Sequence, residues 1–300
     1  MQDKNQQKNI WLITGFVILW NSGFIGAEYG LPYAGPFTFI FYRYLALTML
    51  VVLYLNVTNQ LYWTGWRYVR QKMLIGVLAH GVWLSCVLLA IDYGVPAGLV
   101  ALVVALQPLA TGALSGKVVG EPTPWSRWAG LVVGFTGVAI PVLSRVDFQD
   151  YSNMFAWFIP LGSVIAITAA SLYQRKLSLK KDHQKHSIGL SLFYQSLGTS
   201  VAVAVPALFI ENFAVEWNFV FISAMIWLVL GVSFGAYALM WMLIDRMDAT
   251  KVASLFYLGP PVTMIMAWLA FGDDVQIVDL AGLAIVFMGV LLTYLKPPAS

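Results

Sequence analysis

The chain is built largely from apolar segments, each about as long as a lipid bilayer is thick. A helix of about 20 apolar residues crosses the ~30 Å hydrocarbon core of a bilayer. Such segments follow one another with short breaks at 10–29, 36–56, 72–92, 96–115, 124–143, 154–174, 187–209, 217–244, 250–271 and 276–295. They are continuously apolar rather than alternating, which favours helices over a membrane β-barrel. The sequence therefore predicts an all-α membrane protein with ten transmembrane helices.

Basic residues are concentrated on one side of this predicted topology. With the N-terminus in the cytoplasm, 15 of the 17 lysines and arginines lie in cytoplasmic loops or at cytoplasmic helix ends, and the exceptions are Arg43 and Arg145. Such a bias sets the orientation of membrane proteins. It predicts a multi-pass membrane protein with both termini in the cytoplasm. The net charge of +3 follows from this bias and does not indicate a nucleic-acid partner.

The second half of the chain repeats the first. Residues 97–143 align without a gap with residues 249–295, 152 positions later, and 14 of the 47 positions are identical. The identities include paired prolines, threonines and glycines, which a shared apolar composition alone does not place in one register. Duplication of a membrane unit is typical of transporters.

Each repeat contains five predicted spans, and an odd number of spans places the two copies upside down relative to each other. We therefore expect residues 1–148 and 149–300 to form two inverted-topology five-helix repeats around a central cavity. In transporters built in this way, the substrate site lies near the bilayer midplane, where the repeats meet.

Short motifs in both repeats carry a resemblance to a known family. They are Trp20-Asn21-Ser22-Gly23-Phe24, Gly30-Leu31-Pro32, Gln107-Pro108-Leu109, Gly120-Glu121 with Ala129-Gly130 and Gly137-Val138, and Gly272-Asp273 with Ala281-Gly282 and Gly289-Val290. Over essentially residues 10–296 the chain resembles the EamA-like branch of the drug/metabolite transporter superfamily. The resemblance implies a ten-helix fold, alternating access in the inner (plasma) membrane, and in most cases export of amino acids, metabolites or lipophilic drugs.

Two charged residues near the outer end of the first two spans are candidates for coupling or gating. Glu28 ends the first span and Arg43 lies about two turns into the second, so an ion pair across the intervening turn is geometrically reasonable. A charge inside a bilayer costs about 2.5–3.5 kcal/mol on insertion scales, so it needs a role. A proton-responsive or gating pair is one interpretation. A purely structural pair, or a glutamate that reaches the interface, is the other.

His80 lies near the middle of the third span, with Trp83 following on the same helix face. The corresponding stretch of the second repeat has no histidine. Because a neutral imidazole can take up a proton near physiological pH, His80 is a candidate for both substrate binding and coupling. The alternative is a buried histidine that only donates to a backbone carbonyl.

Polar and aromatic residues on inward-facing stripes are candidates for the substrate site. The fourth span is interrupted by Pro108, and its repeat mate is interrupted by Pro260 and Pro261. Interrupted helices at matching positions are the best sequence indicator of a transporter site. The candidate set is Trp20, Asn21, Phe24, His80, Trp83, Gln107, Thr111, Tyr194, Trp241 and Tyr257. For each residue, packing or a hydrogen bond that only holds the bundle together is the alternative.

Gly130 and Gly134 form a close-packing motif in the fifth span. Because the second repeat keeps only Gly282 of this pair, we expect packing within one chain, and both a monomer and a homodimer stay open.

Taken together, the sequence favours a secondary active transporter, working as an exporter of small organic solutes such as amino acids, metabolites or lipophilic amines. The sequence lacks Walker and HExxH motifs, so we expect neither ATP drive nor enzymatic activity, and no metal or cofactor. The expected partners are a small-molecule substrate, membrane lipid and, as the coupling ion, protons. The alternatives are an uncoupled facilitative exchanger, a passive channel, and a lipid-modifying enzyme that uses His80 or Glu28 as a base.

The predicted topology can be tested with reporter fusions. A reporter fused after Lys181 should report the cytoplasm, and one fused after Asp150 should report the exterior, because the basic residues place these loops on opposite sides. The reverse result at either site would contradict the ten-span topology.

Overall fold

Our computed structural model describes residues 2–93, 95, 97–145, 156, 158–180, 186–272 and 276–294. Within these residues the regular elements are helices, apart from one isolated β-bridge between Ala34 and Val215. The α-helices are α1 (Gln2–Gly30), α2 (Pro36–Val57), α3 (Trp66–Gly76), α4 (Trp83–Asp92), α5 (Ala97–Val104), α6 (Gln107–Val119), α7 (Trp125–Arg145), α8 (Ile159–Ser178), α9 (Ile188–Glu211), α10 (Phe219–Trp227), α11 (Tyr237–Arg246), α12 (Ala249–Ser254), α13 (Gly259–Phe271) and α14 (Ile277–Tyr294). The expected boundary between the repeats, at residues 148 and 149, lies outside the described residues.

Nine helical runs among the described residues are long and apolar enough to cross a bilayer. They are Ile10–Tyr33, Pro36–Val57, Trp66–Asp92, Val100–Val119, Trp125–Ser144, Ile188–Glu211, Phe219–Arg246, Ala249–Phe271 and Ile277–Tyr294. Each coincides with a predicted span. Such a segment is helical because a helix satisfies its own backbone polar groups where no water is present. The protein is therefore a multi-pass membrane protein.

The remaining predicted span, 154–174, coincides with α8, which has 20 residues but is more polar. Ser163, Thr168 and Gln174 on this helix are buried, whereas Leu161 and Ile165 are exposed. A helix enclosed by other helices faces lipid along a narrow stripe only, so most of its surface can be polar. That α8 crosses the membrane stays a prediction.

Both repeats interrupt their helices at matching places. A π-helical segment, Val77–Val82, joins α3 to α4, and a second, Leu228–Ala236, joins α10 to α11. A shift of 152 positions places the first segment inside the second. The fourth and ninth predicted spans likewise break at residues 105–106 and in the 3-10 segment Leu255–Leu258, just ahead of α6 and α13. The duplication therefore extends from the sequence to the irregular backbone.

The ends of α6 and α13 also match. Gly120 follows α6 with φ 72°, and Gly272 follows α13 with φ 77°. Both values lie in the left-handed region, which glycine adopts at no steric cost and which commonly ends a helix.

The packing partners of the helices exchange under the same 152-residue offset. α2 packs on α9, and α7 packs on α14. α1 packs on the run from α10 to α11 and on α13, and its repeat mate α8 packs on the run from α3 to α4 and on α6. Each repeat therefore contributes the same surfaces to the other, and the residues between them form the centre of the bundle.

Glycines hold α7 and α14 in close contact. A Cβ atom added at Gly130 would lie 2.7 Å from the carbonyl oxygen of Gly289, and one at Gly137 would lie 2.6 Å from the backbone nitrogen of Val286. Small residues let membrane helices approach to this distance. Gly130 thus packs within the chain, as expected from its lack of a full counterpart motif in the second repeat.

This packing predicts that Gly130→Leu is destabilising. The larger side chain must push α14 away. Overpacking of this kind in a well-packed core lowers the free energy of unfolding by about 1–3 kcal/mol. The measurement is thermal unfolding of the purified protein in detergent. Val132→Leu, an exposed position on the same helix, is the matched control and should unfold near the wild-type temperature. Equal unfolding temperatures for Gly130→Leu and wild type would contradict the packing.

Candidate functional site

The two π-helical segments each place a polar side chain against a helix of the other repeat. His80, in the first segment, has Nε2 at 3.1 Å from Oε1 of Gln195 on α9. Ser233, in the second segment, accepts a hydrogen bond of 2.7 Å from Nε of Arg43 on α2. Arg43 and Gln195 are repeat mates, 152 positions apart. The duplication therefore builds one contact twice, with a cation on one side and a neutral amide on the other.

An aromatic cluster lies beside these contacts. The ring centroid of Trp20 is 5.4 Å from that of Trp83, 4.9 Å from that of Tyr237 and 5.0 Å from that of Phe256. Tyr237 in turn is 4.0 Å from the imidazole of His80. α1, α4, α11 and the 3-10 segment of the ninth span thus meet at one place, and offset or edge-on ring pairs of this kind are favourable.

Several buried polar atoms of the candidate set have no hydrogen-bond partner among the described residues. They are Nδ1 of His80, Nε1 of Trp241, Oε1 of Gln107 and the hydroxyl of Tyr257. Leaving such a group unpaired costs about 1–3 kcal/mol, so each one needs a reason. A polar solute that binds between the repeats would supply the missing partners.

Asn21 makes a hydrogen bond to another helix, whereas the hydrogen bond of Gln107 stays within its own helix. Oδ1 of Asn21 on α1 accepts from Thr263 on α13 at 3.3 Å, and Nε2 of Gln107 donates to Thr111, one turn later on α6, at 3.3 Å. Thr111 and Thr263 are repeat mates. Gly259, the mate of Gln107, leaves room for Asn21, because a Cβ there would lie 3.2 Å from the Asn21 oxygen. An interhelical hydrogen bond, the structural alternative to substrate binding, is therefore present for Asn21 and is not formed between Gln107 and Thr111.

The polar and aromatic stripe of α1 is buried only in part. Trp20 and Asn21 are buried, whereas Phe24 and Glu28 are exposed. Phe24, expected on an inward-facing stripe, and Glu28, expected at the outer end of the first span, therefore both have exposed side chains in this structure. α1 approaches the second repeat through the glycine at position 23, where a Cβ would lie 3.0 Å from Val232, and this contact face does not include Phe24.

Arg43, Tyr194 and Tyr257 lie outside the aromatic cluster and have other contacts. Arg43 bonds to Ser233, and the structure records no ion pair between the two described residues Arg43 and Glu28. Tyr194 contacts Tyr68 at 6.1 Å between ring centroids, away from the aromatic cluster. Tyr257 packs against Gly134 of α7. The structure thus brings Trp20, His80, Trp83 and Trp241 together, the last at 6.5 Å from His80, and sets the other residues around them.

Sequence reasoning missed Tyr237, Phe256, Gln195 and Ser233. One signal was available for Gln195, since it is the repeat mate of Arg43. Tyr237 and Phe256 carry no comparable signal, because aromatic residues are frequent throughout this chain.

A charged network joins the two repeats at one end of the bundle. Glu121 accepts hydrogen bonds from Nε and Nη2 of Arg175 at 2.7 and 2.5 Å through one oxygen, and from the backbone nitrogen of Ala249 at 3.1 Å through the other. Nη1 of Arg175 donates to the carbonyl of Ile244 at 2.9 Å. Sequence analysis treated Arg175 as a determinant of orientation only, yet it is buried and fully engaged in this contact.

Hydroxyl groups extend the same contact between α6 and α12. Thr250 donates to Ser115 at 3.3 Å and lies 3.2 Å from the hydroxyl of Thr123. Arg127 forms an ion pair of 2.6 Å with Asp248, directly before α12. The repeat mates of these helices are α13 and α5, which make no comparable contact within the described residues. The repeats also meet elsewhere, through the bridge between Ala34 and Val215 and through Glu211, which accepts hydrogen bonds from the backbone nitrogens of Phe37 and Thr38.

Comparison with known proteins assigns the family. The profile of the EamA-like transporter family matches residues 7–143 and again residues 154–295. This chain belongs to the EamA-like transporter family. The resemblance noted in the sequence is thereby confirmed, and the two matches coincide with the two repeats.

Individual relatives match this EamA-like chain along its length. The uncharacterized transporter YvbV of Bacillus subtilis (strain 168) is 24% identical over 304 residues, covering 100% of this chain and 96% of the relative. A probable amino-acid metabolite efflux pump of Salmonella typhimurium (strain LT2) is 21% identical, covering 95% and 94%. A solved crystal structure matches with a TM-score of 0.79 and 14% identity over 96% of each chain, which supports the fold alone.

Proposed function

We propose that this protein is a secondary transporter that exports small organic solutes, such as amino acids, metabolites or lipophilic amines, by alternating access. The observation that carries the proposal is the paired interruption of helices in both repeats. The two π-helical segments and the 3-10 segment Leu255–Leu258 lie beside the cluster of Trp20, His80, Trp83 and Tyr237, and interrupted helices of inverted repeats frame substrate sites in transporters. The relative from Salmonella, whose name describes amino-acid metabolite efflux, supports the same class of solute.

The contact between Glu121 and Arg175 supports a two-state mechanism. It lies among the basic residues that we assign to the cytoplasmic side, with both termini there and the protein in the plasma membrane. The repeat-related helices α5 and α13 lack such a contact among the described residues, and we propose that the site opens to the outside between them. Exchange of the two arrangements between the inverted repeats would close that end and open the cytoplasmic end.

Proton coupling is the part of the proposal that depends on single residues. Nε2 of His80 contacts the neutral amide of Gln195, so the imidazole has a neutral partner on that side. Glu28 is exposed. If neither residue changes its charge during transport, uncoupled facilitated exchange is the preferred mechanism, and we retain it as the second candidate.

The experiment compares two assays in proteoliposomes, using L-leucine as the probe. Counterflow measures exchange, and uptake under an imposed pH gradient measures coupling, since a gradient of one pH unit is worth about 1.4 kcal/mol, or about tenfold accumulation. Glu28→Gln should keep counterflow and lose the response to the gradient, if Glu28 carries the proton. His80→Ala also removes a candidate ligand of the solute, so it should keep exchange at higher leucine concentrations and lose the response to the gradient, if His80 carries the proton.

His186→Ala is the control. Partial burial and the nearby Lys72 ammonium lower the pKa of His186, so its ring is neutral at neutral pH and its loss should leave coupling unchanged. Gradient-driven accumulation at the wild-type level in both His80→Ala and Glu28→Gln would exclude these two residues from coupling. Absence of counterflow by the wild-type protein for every amino acid, amine and metabolite tested would contradict the transporter itself.

A further inference from the structure

We propose that Arg43 recognises a carboxylate group of the transported solute, which makes amino acids with apolar or aromatic side chains the substrate class. This inference rests on the proposed function and names the group that the site would hold. It begins from the charge of Arg43, which the residues described by the structure do not balance.

Arg43 is a buried cation, and no carboxylate of the described residues pairs with it. Its side chain is on α2, with 4% of the residue exposed, inside a predicted span. Two arginines at one end of the bundle differ, since Arg175 is paired with Glu121 and Arg127 with Asp248. No ion pair to Arg43 is formed by the residues that the structure describes. A buried charge is costly unless an opposite charge and hydrogen bonds compensate it, so a counter-ion from outside the chain would remove this cost.

The hydrogen bonds of Arg43 leave its terminal groups available. Within the described part of the chain, its bond to Ser233 uses Nε, and the face of Tyr44 lies 5.7 Å from its Cζ. Both contacts orient the guanidinium from the side. The two terminal NH2 groups form the planar fork that binds a carboxylate with two parallel hydrogen bonds.

The surroundings of Arg43 define the rest of the solute. Tyr44, the next residue, has its ring 5.0 Å from that of His80, and His80 adjoins Tyr237 and through it Trp20. A solute with its carboxylate on Arg43 would therefore reach aromatic rings with its remaining atoms. Apolar and aromatic side chains fit such walls better than sugars, which need many hydrogen-bond partners.

His80 supplies an acceptor for the amino group. Nε2 of Gln195 donates to Ser191 at 2.9 Å, so the oxygen of Gln195 is directed at Nε2 of His80, and that ring nitrogen carries the proton. In the neutral ring the other nitrogen, Nδ1, is then an acceptor, and it is buried without a partner among the described residues. An ammonium N–H of an amino acid would satisfy it.

The test uses matched pairs of probes that differ in the carboxylate alone: L-leucine against L-leucinamide, and L-phenylalanine against L-phenylalaninamide. Binding to the purified full-length protein is measured by thermal shift and by competition in counterflow. At least one of the two acids should bind, and it should bind wild type on the order of 10- to 100-fold more tightly than its amide, as expected for loss of a charge-assisted contact.

Three variants sharpen the test. Arg43→Gln, which copies the neutral residue of the second repeat, should abolish the preference for acid over amide. Arg43→Lys should keep part of it, because the charge remains while the fork is lost. Ser233→Ala keeps the guanidinium and should keep the preference with weaker binding. If Arg43→Gln does not fold, the acid-to-amide comparison in wild type and in Arg43→Lys still decides.

Equal binding of acid and amide by wild type, undiminished acid binding by Arg43→Gln, or failure of both acids to bind would overturn the inference. The proposed function is judged separately, since counterflow of a solute without a carboxylate would support transport and contradict the role of Arg43.

Discussion

The structure depends on one constraint, which is that backbone polar groups inside a bilayer must be satisfied by the protein itself. A continuous helix meets it directly, and an interrupted helix meets it only where other helices enclose the break. The π-helical segments accordingly set His80 and Ser233 against helices of the other repeat, and the segment ahead of α13 sets Phe256 against Trp20 of α1. These are the places where side chains from both repeats meet, and they give the candidate site its position.

Within this duplicated scaffold, the side chains differ between the copies. Arg43 corresponds to Gln195, Gln107 to Gly259, and His80 to Val232. Matched backbone with unmatched side chains produces a symmetric frame around an asymmetric centre. An asymmetric solute requires such a centre, whereas a pair of rocking repeats requires a symmetric frame.

The sequence allowed the spans, the repeat and the matching helix breaks to be predicted, because they depend on local composition and on identities at a fixed offset. It also identified Trp20, His80, Trp83 and Trp241, which the structure places near one another. It could not identify Tyr237 or Phe256, because the rotation of α11 and of the 3-10 segment Leu255–Leu258 is set by packing between helices distant in sequence. The partial burial of the α1 stripe, with Phe24 exposed, has the same origin.

The polarity of α8 and the network of Glu121 with Arg175 show a second limit. Hydropathy measures suitability for contact with lipid, so a helix that is enclosed by other helices has a low hydropathy even where it could cross the membrane. A basic residue near a helix end is likewise interpreted as an orientation signal. Arg175 is instead buried and bound to Glu121 and to the carbonyl of Ile244. Such roles follow from tertiary contacts, which one sequence without its structure does not specify.

The central claim is that the two repeats exchange their arrangements, closing one end as the other opens. Pulsed electron paramagnetic resonance tests it with spin labels on two repeat-related pairs in a Cys86→Ala background. Lys117 with Lys251 reports on α6 and α12, beside the contact of Glu121 with Arg175, and Leu269 with Leu99 reports on the repeat mates α13 and α5. Glu121→Gln removes the charged contact with Arg175. The account predicts that this variant lengthens the 117–251 distance and shortens the 269–99 distance in the same population of molecules. A longer 117–251 distance with an unchanged 269–99 distance, or no change in either, would contradict it.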